Sequence, residues 1–572
     1  MKAPKQGRNS SKIEFTRATL WRNFQAGTTT AVVIIPQGMA YALVAGLPPI
    51  HGLYASLLPL VAYAFIGQSR ELAVGPGALD TLLLGSSLAA IEMVNAANYG
   101  TYAAVLTLEV AAIQLALGLL RGGFLVNFLS RPVLSGFTSA AALTIALSQM
   151  KNLFGYAVNK SSRFDEMLAQ LATGLPKANF QTATIGVGSV LLLLGLKRLR
   201  KGFPAPLLVT ALAILLVRAL QLQKHGVAIL GAIPAGLPRF IFPRLDTHGL
   251  LALAPTALTI AFVGYLTNIS IAKTFAARNR YDINANRELF ATGTTNLVAG
   301  LSQGFPVSAS FSRSAVHASA GSTSPYTLLI TAGWVGLTLA FLTDYFYSLP
   351  KATLAAVIIT AVSGLVDLKS VSHLWRVERS DMWLLLTTFA ATLVIGIEQG
   401  ILIGVACSLG LFIYRTTRPH TAVLGRLGDT SDYRNVKHYP NATTYPGILI
   451  VRFDAQFYFG NVTFFKDLMR RLENEAPTPL HTVIVEACSL TQLDSSADAT
   501  LNELADDYQR RGVNLCFASV KFPILRVMKA SGLWSKLGED HFFMNVDDAV
   551  RHYDESSPCL KMNSTTWSTP LS

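Results

Sequence analysis

Two short stretches of this chain combine residue types that could hold an anion without reacting with it. Ala309-Ser310-Phe311-Ser312-Arg313 follows Phe305-Pro306, and Gly77-Ala78-Leu79-Asp80 follows Gly75-Pro76. Small residues let an ion approach the backbone, and Ser310 and Ser312 add hydroxyl donors. A helix that begins at such a point leaves its first N–H groups unpaired, equivalent to about half a unit of positive charge. Two such starts facing each other make an anion site, with Gly77, Ala78, Ser310, Phe311, Ser312 and Arg313 as its candidate residues. Bond-making chemistry has no comparable support: the sequence shows no nucleophile–base pair, metal cluster or phosphate loop, so an enzyme is the least favoured class and no metal or other cofactor is expected. His51 and His317 stand alone, without partners at metal-ligand spacing, and read as structural.

These stretches must be positioned by segments that leave water. Of the residues, 51% are hydrophobic and 14% charged, against roughly 25% charged in soluble domains. Apolar stretches of about 20 residues, the length that crosses a bilayer, recur between Phe24 and Tyr414, for example at 24–43, 102–120, 126–150, 180–196, 250–276 and 350–366. Several are shorter or broken by Gly and Pro, and counting those gives about 14 segments. Arg313 lies close to one apolar segment, where a guanidinium costs about 2.5–3.5 kcal/mol unless it faces protein, water or an anion. It reads as facing a cavity, the alternatives being that Arg313 snorkels to an interface and that Ser310 and Ser312 merely cap a helix.

The net charge of +14 is unevenly placed. Residues 1–417 hold 31 Lys+Arg against 15 Asp+Glu, while 418–572 hold 16 against 18, so the total splits into +16 and −2. The basic excess falls in short connections between apolar stretches, the pattern of membrane topology and not of a nucleic-acid partner. With an N-terminal segment 1–22 placed in the cytoplasm, the basic loops 67–70, 121–131, 197–201, 273–287, 367–381 and 415–418 return to that side. No short apolar region with a cleavage site follows the basic N-terminus. Cys407, Cys488, Cys516 and Cys559 form no CxxC pair, which fits a reducing compartment for the tail.

The two candidate stretches also suggest an internal repeat. Their prolines are separated by 306 − 76 = 230 residues, and the same offset carries the first apolar stretch, 24–43, onto 254–273. About seven spans between corresponding points would invert one half relative to the other, the arrangement that builds a transport site at the bilayer midplane. The offset also carries Gln37 onto Thr267. After Arg418 the pattern becomes that of a soluble α/β domain. Apolar runs at 448–453, 482–487, 513–519 and 542–546 alternate with helix-period stretches at 462–472, 497–511 and one beginning at Pro523. The expected organisation is a cytoplasmic segment 1–22, a transmembrane domain 23–417, a cytoplasmic domain 418–556 and a disordered tail 557–572.

The run Ile35-Pro36-Gln37-Gly38-Met39-Ala40-Tyr41-Ala42, with Ala45-Gly46-Leu47-Pro48-Pro49 and His51-Gly52-Leu53-Tyr54-Ala55-Ser56, resembles the sulfate-transporter signature of the SulP family, which includes the animal SLC26 proteins. Ser69 to Pro76, Asn286-Arg287-Glu288-Leu289 and Gly304 to Ser314 extend the likeness, and the tail resembles the family's STAS domain. The resemblance implies an α-helical multi-span membrane protein of about 14 segments, built as two inverted repeats that form a core and a gate domain, usually dimeric with both termini in the cytoplasm. It implies a small inorganic or organic anion (sulfate, bicarbonate, chloride or a dicarboxylate) bound near Gly77, Ala78, Phe311, Ser312 and Arg313, with Gln37 and Tyr41 lining the pocket and a proton or sodium ion as co-substrate in some members. Proton-coupled members carry a Glu in a run resembling G-F-M-E-S-I-S-V-A-K, whereas this chain reads Gly264-Tyr265-Leu266-Thr267-Asn268-Ile269-Ser270-Ile271-Ala272-Lys273. Thr267 in place of a carboxylate weakens a proton-symport reading and favours exchange or uniport. Asp80 could supply a carboxylate instead, or is simply an acidic residue favoured in a first helical turn. Ser495 and Ser496 resemble the STAS loop that is phosphorylated in related proteins, and a plain helix cap explains them equally well. An anion channel, and a sensor or scaffold acting through the STAS domain, stand as the alternatives to a carrier.

Overall fold

The computed structural model describes residues 17–91, 94–95, 97–124, 130–157, 164–199, 205–243 and 247–555. The first 16 residues of the expected N-terminal segment, the expected tail 557–572 and Cys559 lie outside the described residues. The chain divides into two compact units, Met1–Ser408 and Leu409–Ser572.

The first unit is helical. It begins with α1 (Arg17–Val44), α2 (Pro49–Tyr54) and α3 (Leu58–Ile66), and continues after a short strand β1 (Val74–Pro76) with α4 (Ala78–Ala90), α5 (Tyr99–Leu119) and α6 (Arg131–Phe154). Next come α7 (Phe164–Gly174), α8 (Phe180–Leu199), α9 (Ala205–Ala219), α10 (Thr247–Asn279) and α11 (Ala285–Leu301). A second short strand, β2 (Val307–Ala309), leads into α12 (Phe311–Ser319), followed by α13 (Thr327–Leu337), α14 (Lys351–Val362), α15 (Leu368–Val377), α16 (Arg379–Val394) and α17 (Ile397–Thr417), in which the division between the units falls.

Among the described residues, eight helices are long and apolar enough to cross a membrane, or up to nine if the pair around Ala178, bent by 119°, counts as one span. Length alone therefore yields fewer spans than the sequence count, because that count includes interrupted segments. The 13-residue α4 and the nine-residue α12 reach only about 20 Å and 14 Å at 1.5 Å per residue, short of a hydrocarbon layer of about 30 Å. Each depends on the extended strand before it.

Two glycines set the approach of the first two helices. A Cβ on Gly52 of α2 would stand 1.9 Å from the carbonyl oxygen of Gly38 in α1, so the backbones touch with no room for a side chain. The fixed bend at Pro48-Pro49 returns α2 against α1 at this point.

In the second unit a sheet of order β4-β3-β6-β7-β8-β9 is formed by β3 (Thr421–Leu427), β4 (Tyr433–Asn435), β6 (Ile448–Phe453), β7 (Thr482–Glu486), β8 (Asn514–Ala518) and β9 (Phe542–Phe543), with β5 (Ala442–Thr443) paired to β3. Strands β6 to β9 run parallel, because each is followed or preceded by a helix that returns the chain to the same edge. The helices are α18 (Val462–Asn474), α19 (Ser495–Arg510), α20 (Phe522–Ala530), α21 (Leu533–Leu537) and α22 (Val546–Glu555). The four apolar runs read from the sequence are β6 to β9, and Pro523 sits in the first turn of α20, where its missing N–H costs nothing. Leu449, Val451, Phe453, Phe465, Val485 and Phe517 form the core on one sheet face.

Candidate anion-binding site

Strands β1 and β2 pair antiparallel, with Val74 opposite Ala309, Gly75 opposite Ser308 and Pro76 opposite Val307. They come from opposite halves of the sequence, and each runs straight into a helix. Gly77 caps α4 and Ser310 caps α12, both with extended backbone. Because the strands are antiparallel, the two helices leave the ribbon from opposite ends, with their unpaired amides turned back toward it. The structural correspondence between the halves is 307 − 74 = 233 for the strands and 310 − 77 = 233 for the caps. The proline offset of 230 was three residues short, because Pro76 ends its strand while Pro306 precedes its own.

The register also makes Asp80 and Arg313 equivalents, each the third residue after its cap. Each reaches across to the strand of the other half. The Ser308 hydroxyl donates to the Asp80 carboxylate, which is 1% exposed. Arg313 is fully buried, and its guanidinium donates to the carbonyls of Ala73 at 3.0 Å, Pro76 at 3.1 Å and Ser308 at 3.2 Å. The sequence reading placed Arg313 as a ligand facing a cavity; its side chain instead binds the ribbon, whose carbonyls need donors once the strands have left water. Gly75, at φ +152°, lets α1 pack against the ribbon, since the position of a Cβ there lies 2.7 Å from the Ile34 side chain.

Four polar residues that sequence reasoning passed over complete the frame. The Val307 amide donates to Asn296 at 2.8 Å and the Ala309 amide to Asn268, so the free edge of β2 is satisfied by side-chain amides. Asn296 in turn donates to Gln114 at 2.9 Å, and Gln114 to the Ala261 carbonyl at 3.0 Å. Just before the other strand the Ala73 amide donates to Ser314 at 3.0 Å. Asn268, Asn296, Gln114 and Ser314 are all buried. The available signal was an amide or hydroxyl side chain within an apolar stretch, which persists only where something pairs with it.

The remaining expected residues fall into four groups. Ser312 and Phe311 are exposed and Ser310 is half-buried, with the two serine hydroxyls 3.2 Å apart and Phe311 stacked on Phe275 of α10 at 5.9 Å. Gln37 and Tyr41 are buried in α1, which packs against β1, α4 and α12. Among the described residues the Gln37 side-chain oxygen has no hydrogen-bond partner. Thr267 donates to the Val263 carbonyl of its own helix at 2.8 Å, and it is the next residue, Asn268, that reaches the ribbon. In the second unit Ser495 and Ser496 are exposed in the first turn of α19, whose cap is Asp494, accepting from the Ala497 amide at 2.8 Å and from the Phe459 amide at 2.8 Å. Among the described residues no group of His, Cys, Asp and Glu is arranged to hold a metal ion.

Taken together, the interrupted helices leave an open, hydroxyl-rich helix start at Ser310–Ser312 with a buried guanidinium behind it. Such a place can hold an anion by charge and hydrogen bonding. Comparison with known proteins points the same way. The profile described as the sulfate permease family matches residues 20–388, and that of the STAS domain matches 439–549. A protein named Probable sulfate transporter 4.2 of Arabidopsis thaliana is 39% identical over 553 residues, covering 93% of this chain and 81% of its own. A probable sulfate transporter of Mycobacterium tuberculosis is 35% identical over 540 residues, covering 94% and 96%. Among solved structures, the murine solute carrier 26 family member A9 anion transporter in its inward-facing state matches with a TM-score of 0.86 at 25% identity, covering 95% of this chain and 92% of that one.

Proposed function

We propose that this chain, which belongs to the sulfate permease family, carries small anions across a cell membrane by alternating access, as an exchanger or a symporter. That it is a membrane transporter of anions and not an enzyme follows from the family. The reading of the site rests on one observation: two helices begin at the two ends of a single strand pair drawn from opposite halves of the chain. The anion sits against the start of α12, held by the amides and hydroxyls of Ser310 and Ser312, with Ala78 on the other side; the space beside Gly77 is taken by the Asp80 carboxylate and the Ser308 hydroxyl. Gln37, buried in α1, turns its NH₂ group toward the ion, and Tyr41 and Phe311 wall the pocket. The chain works as a homodimer with both termini in the cytoplasm, and Ser495 and Ser496 offer a phosphorylation point at a helix start.

The relatives carry sulfate-transporter names, which makes sulfate the first anion to test. Purified protein in liposomes is expected to show saturable uptake of radiolabelled sulfate, or of another anion in a panel with chloride, bicarbonate and dicarboxylates. Absence of saturable flux for every anion would end this reading. An uncoupled channel is the second reading, favoured by Thr267 standing where a carboxylate is found in proton-coupled members; single-channel currents would support it. Ser312→Ala is expected to weaken anion binding about tenfold, the worth of one hydrogen bond to a charged group, without moving the unfolding temperature, because Ser312 is exposed. Equal affinity in parent and variant would remove Ser312 from the site. Thr267→Glu is expected to add an acid-dependent limb to uptake, and superimposable pH profiles would exclude that position from coupling.

A further inference from the structure

Resting on the transport reading above, we propose that Asp80 couples anion movement to a proton, taking one proton on the entry side and releasing it on the exit side. The structural register carries the argument. Asp80 and Arg313 occupy equivalent positions in the two halves, 313 − 80 = 233, yet they bear opposite charges. At the start of α12 the helix end and the guanidinium add. At the start of α4 the carboxylate offsets a helix end worth about half a positive unit. With Asp80 ionised, the Asp80–Arg313 pair is neutral and only the helix ends attract an anion. With Asp80 protonated, one full positive charge is unmasked between them, the state that suits a divalent anion such as sulfate.

The carboxylate is held in place. A Cβ on Gly77 would lie 2.4 Å from one of its oxygens, and one on Gly264 of α10 would lie 3.5 Å from the other. Gly77 leaves the space that Asp80 fills, a Cβ at Gly264 would lie in van der Waals contact with it, and Ser308 of the opposite half donates to it. Around it, α12 contributes Arg313 and α1 contributes Tyr41, which is within electrostatic reach of Arg313. Helix α5 contributes Gln114, which with Asp80 lies beside Gly264; its one carboxylate, Glu109, is five residues earlier in the helix. Helix α6 has Arg131 and Lys151 only at its ends, and α10 carries no ionisable side chain between Gly264 and Lys273 except Tyr265. Asp80 is the sole ionisable residue of α4.

The test uses the full chain in liposomes holding a pH-sensitive dye, with radiolabelled sulfate and chloride as probes. Wild-type protein is expected to take up sulfate faster as the outer pH falls and to carry protons inward with it. Asp80→Asn keeps an acceptor for Ser308 but removes the charge. It is expected to bind sulfate about tenfold more tightly at alkaline pH, to exchange sulfate for sulfate, and to lose both the dye signal and the pH dependence. Proton movement that survives in Asp80→Asn, or sulfate flux in the wild type that ignores pH, overturns the proposal. If Asp80→Asn does not fold, Ser308→Ala decides together with the wild type: losing the donor to the ionised carboxylate is expected to move the midpoint of uptake to higher pH, and an unmoved midpoint counts against Asp80. Absence of saturable flux of either probe or of the wider panel in the wild type would defeat the transport reading itself, whereas flux unaffected at Asp80 defeats only this inference.

Discussion

Replacing Arg313 with alanine is expected to abolish transport and to lower the stability of the first unit by about 3–5 kcal/mol, the cost of removing one partner from a buried charged network. The side chain is fully buried and supplies the donors for the carbonyls of Ala73, Pro76 and Ser308. Without it these carbonyls lose that donor, at about 1–3 kcal/mol for each group left unsatisfied, and Asp80 remains as a buried carboxylate without its counter-charge. Arg313→Lys is expected to rescue little, because one ammonium on a flexible stem does not reproduce the planar fork that reaches both strands. Thermal unfolding in detergent checks this directly. An unfolding temperature equal to the parent's, with only anion affinity reduced, would return Arg313 to the role of a direct ligand. The comparison with Ser312→Ala is informative, since the two residues are neighbours and only the buried one is expected to affect folding.

The second large effect is expected at Gly52. Alanine there would place a Cβ 1.9 Å from the Gly38 carbonyl oxygen, a backbone atom that cannot turn aside. Relief requires α2 to move away from α1, which opens the packing of Leu53, Tyr54 and Ile34 in the main core. A loss of about 3 kcal/mol or more is expected, the upper range for overpacking, together with loss of transport because α1 carries Gln37 and Tyr41. Gly188→Ala in α8 is the control. Nothing lies within 4 Å of a Cβ at Gly188, so alanine there is expected to be neutral or to gain up to about 1 kcal/mol in helix propensity. Similar unfolding temperatures for the two variants would show that α1 and α2 are not in contact as described.

Much of this molecule could be read along the chain. Long apolar stretches, a basic excess in the connections between them and a change of period after Arg418 specify a multi-span membrane unit followed by an α/β domain, because burial in lipid and in a soluble core leave different patterns at short range. Gly77 and Ser310 were legible as helix starts for the same reason: a proline, then small residues, then an apolar run is a local signal. What the sequence could not determine was register and partner choice. The offset of 230 came from prolines, whereas pairing between strands more than 230 residues apart set it at 233. That shift of three turned Asp80 and Arg313 into counterparts. Arg313 looked like a ligand because a guanidinium near apolar residues needs a partner, and only the fold revealed that the partners are main-chain carbonyls of the opposite half. Hydrophobic period follows from neighbours in sequence, but the bonds of a buried polar group depend on which distant segments the tertiary structure brings within about 3 Å.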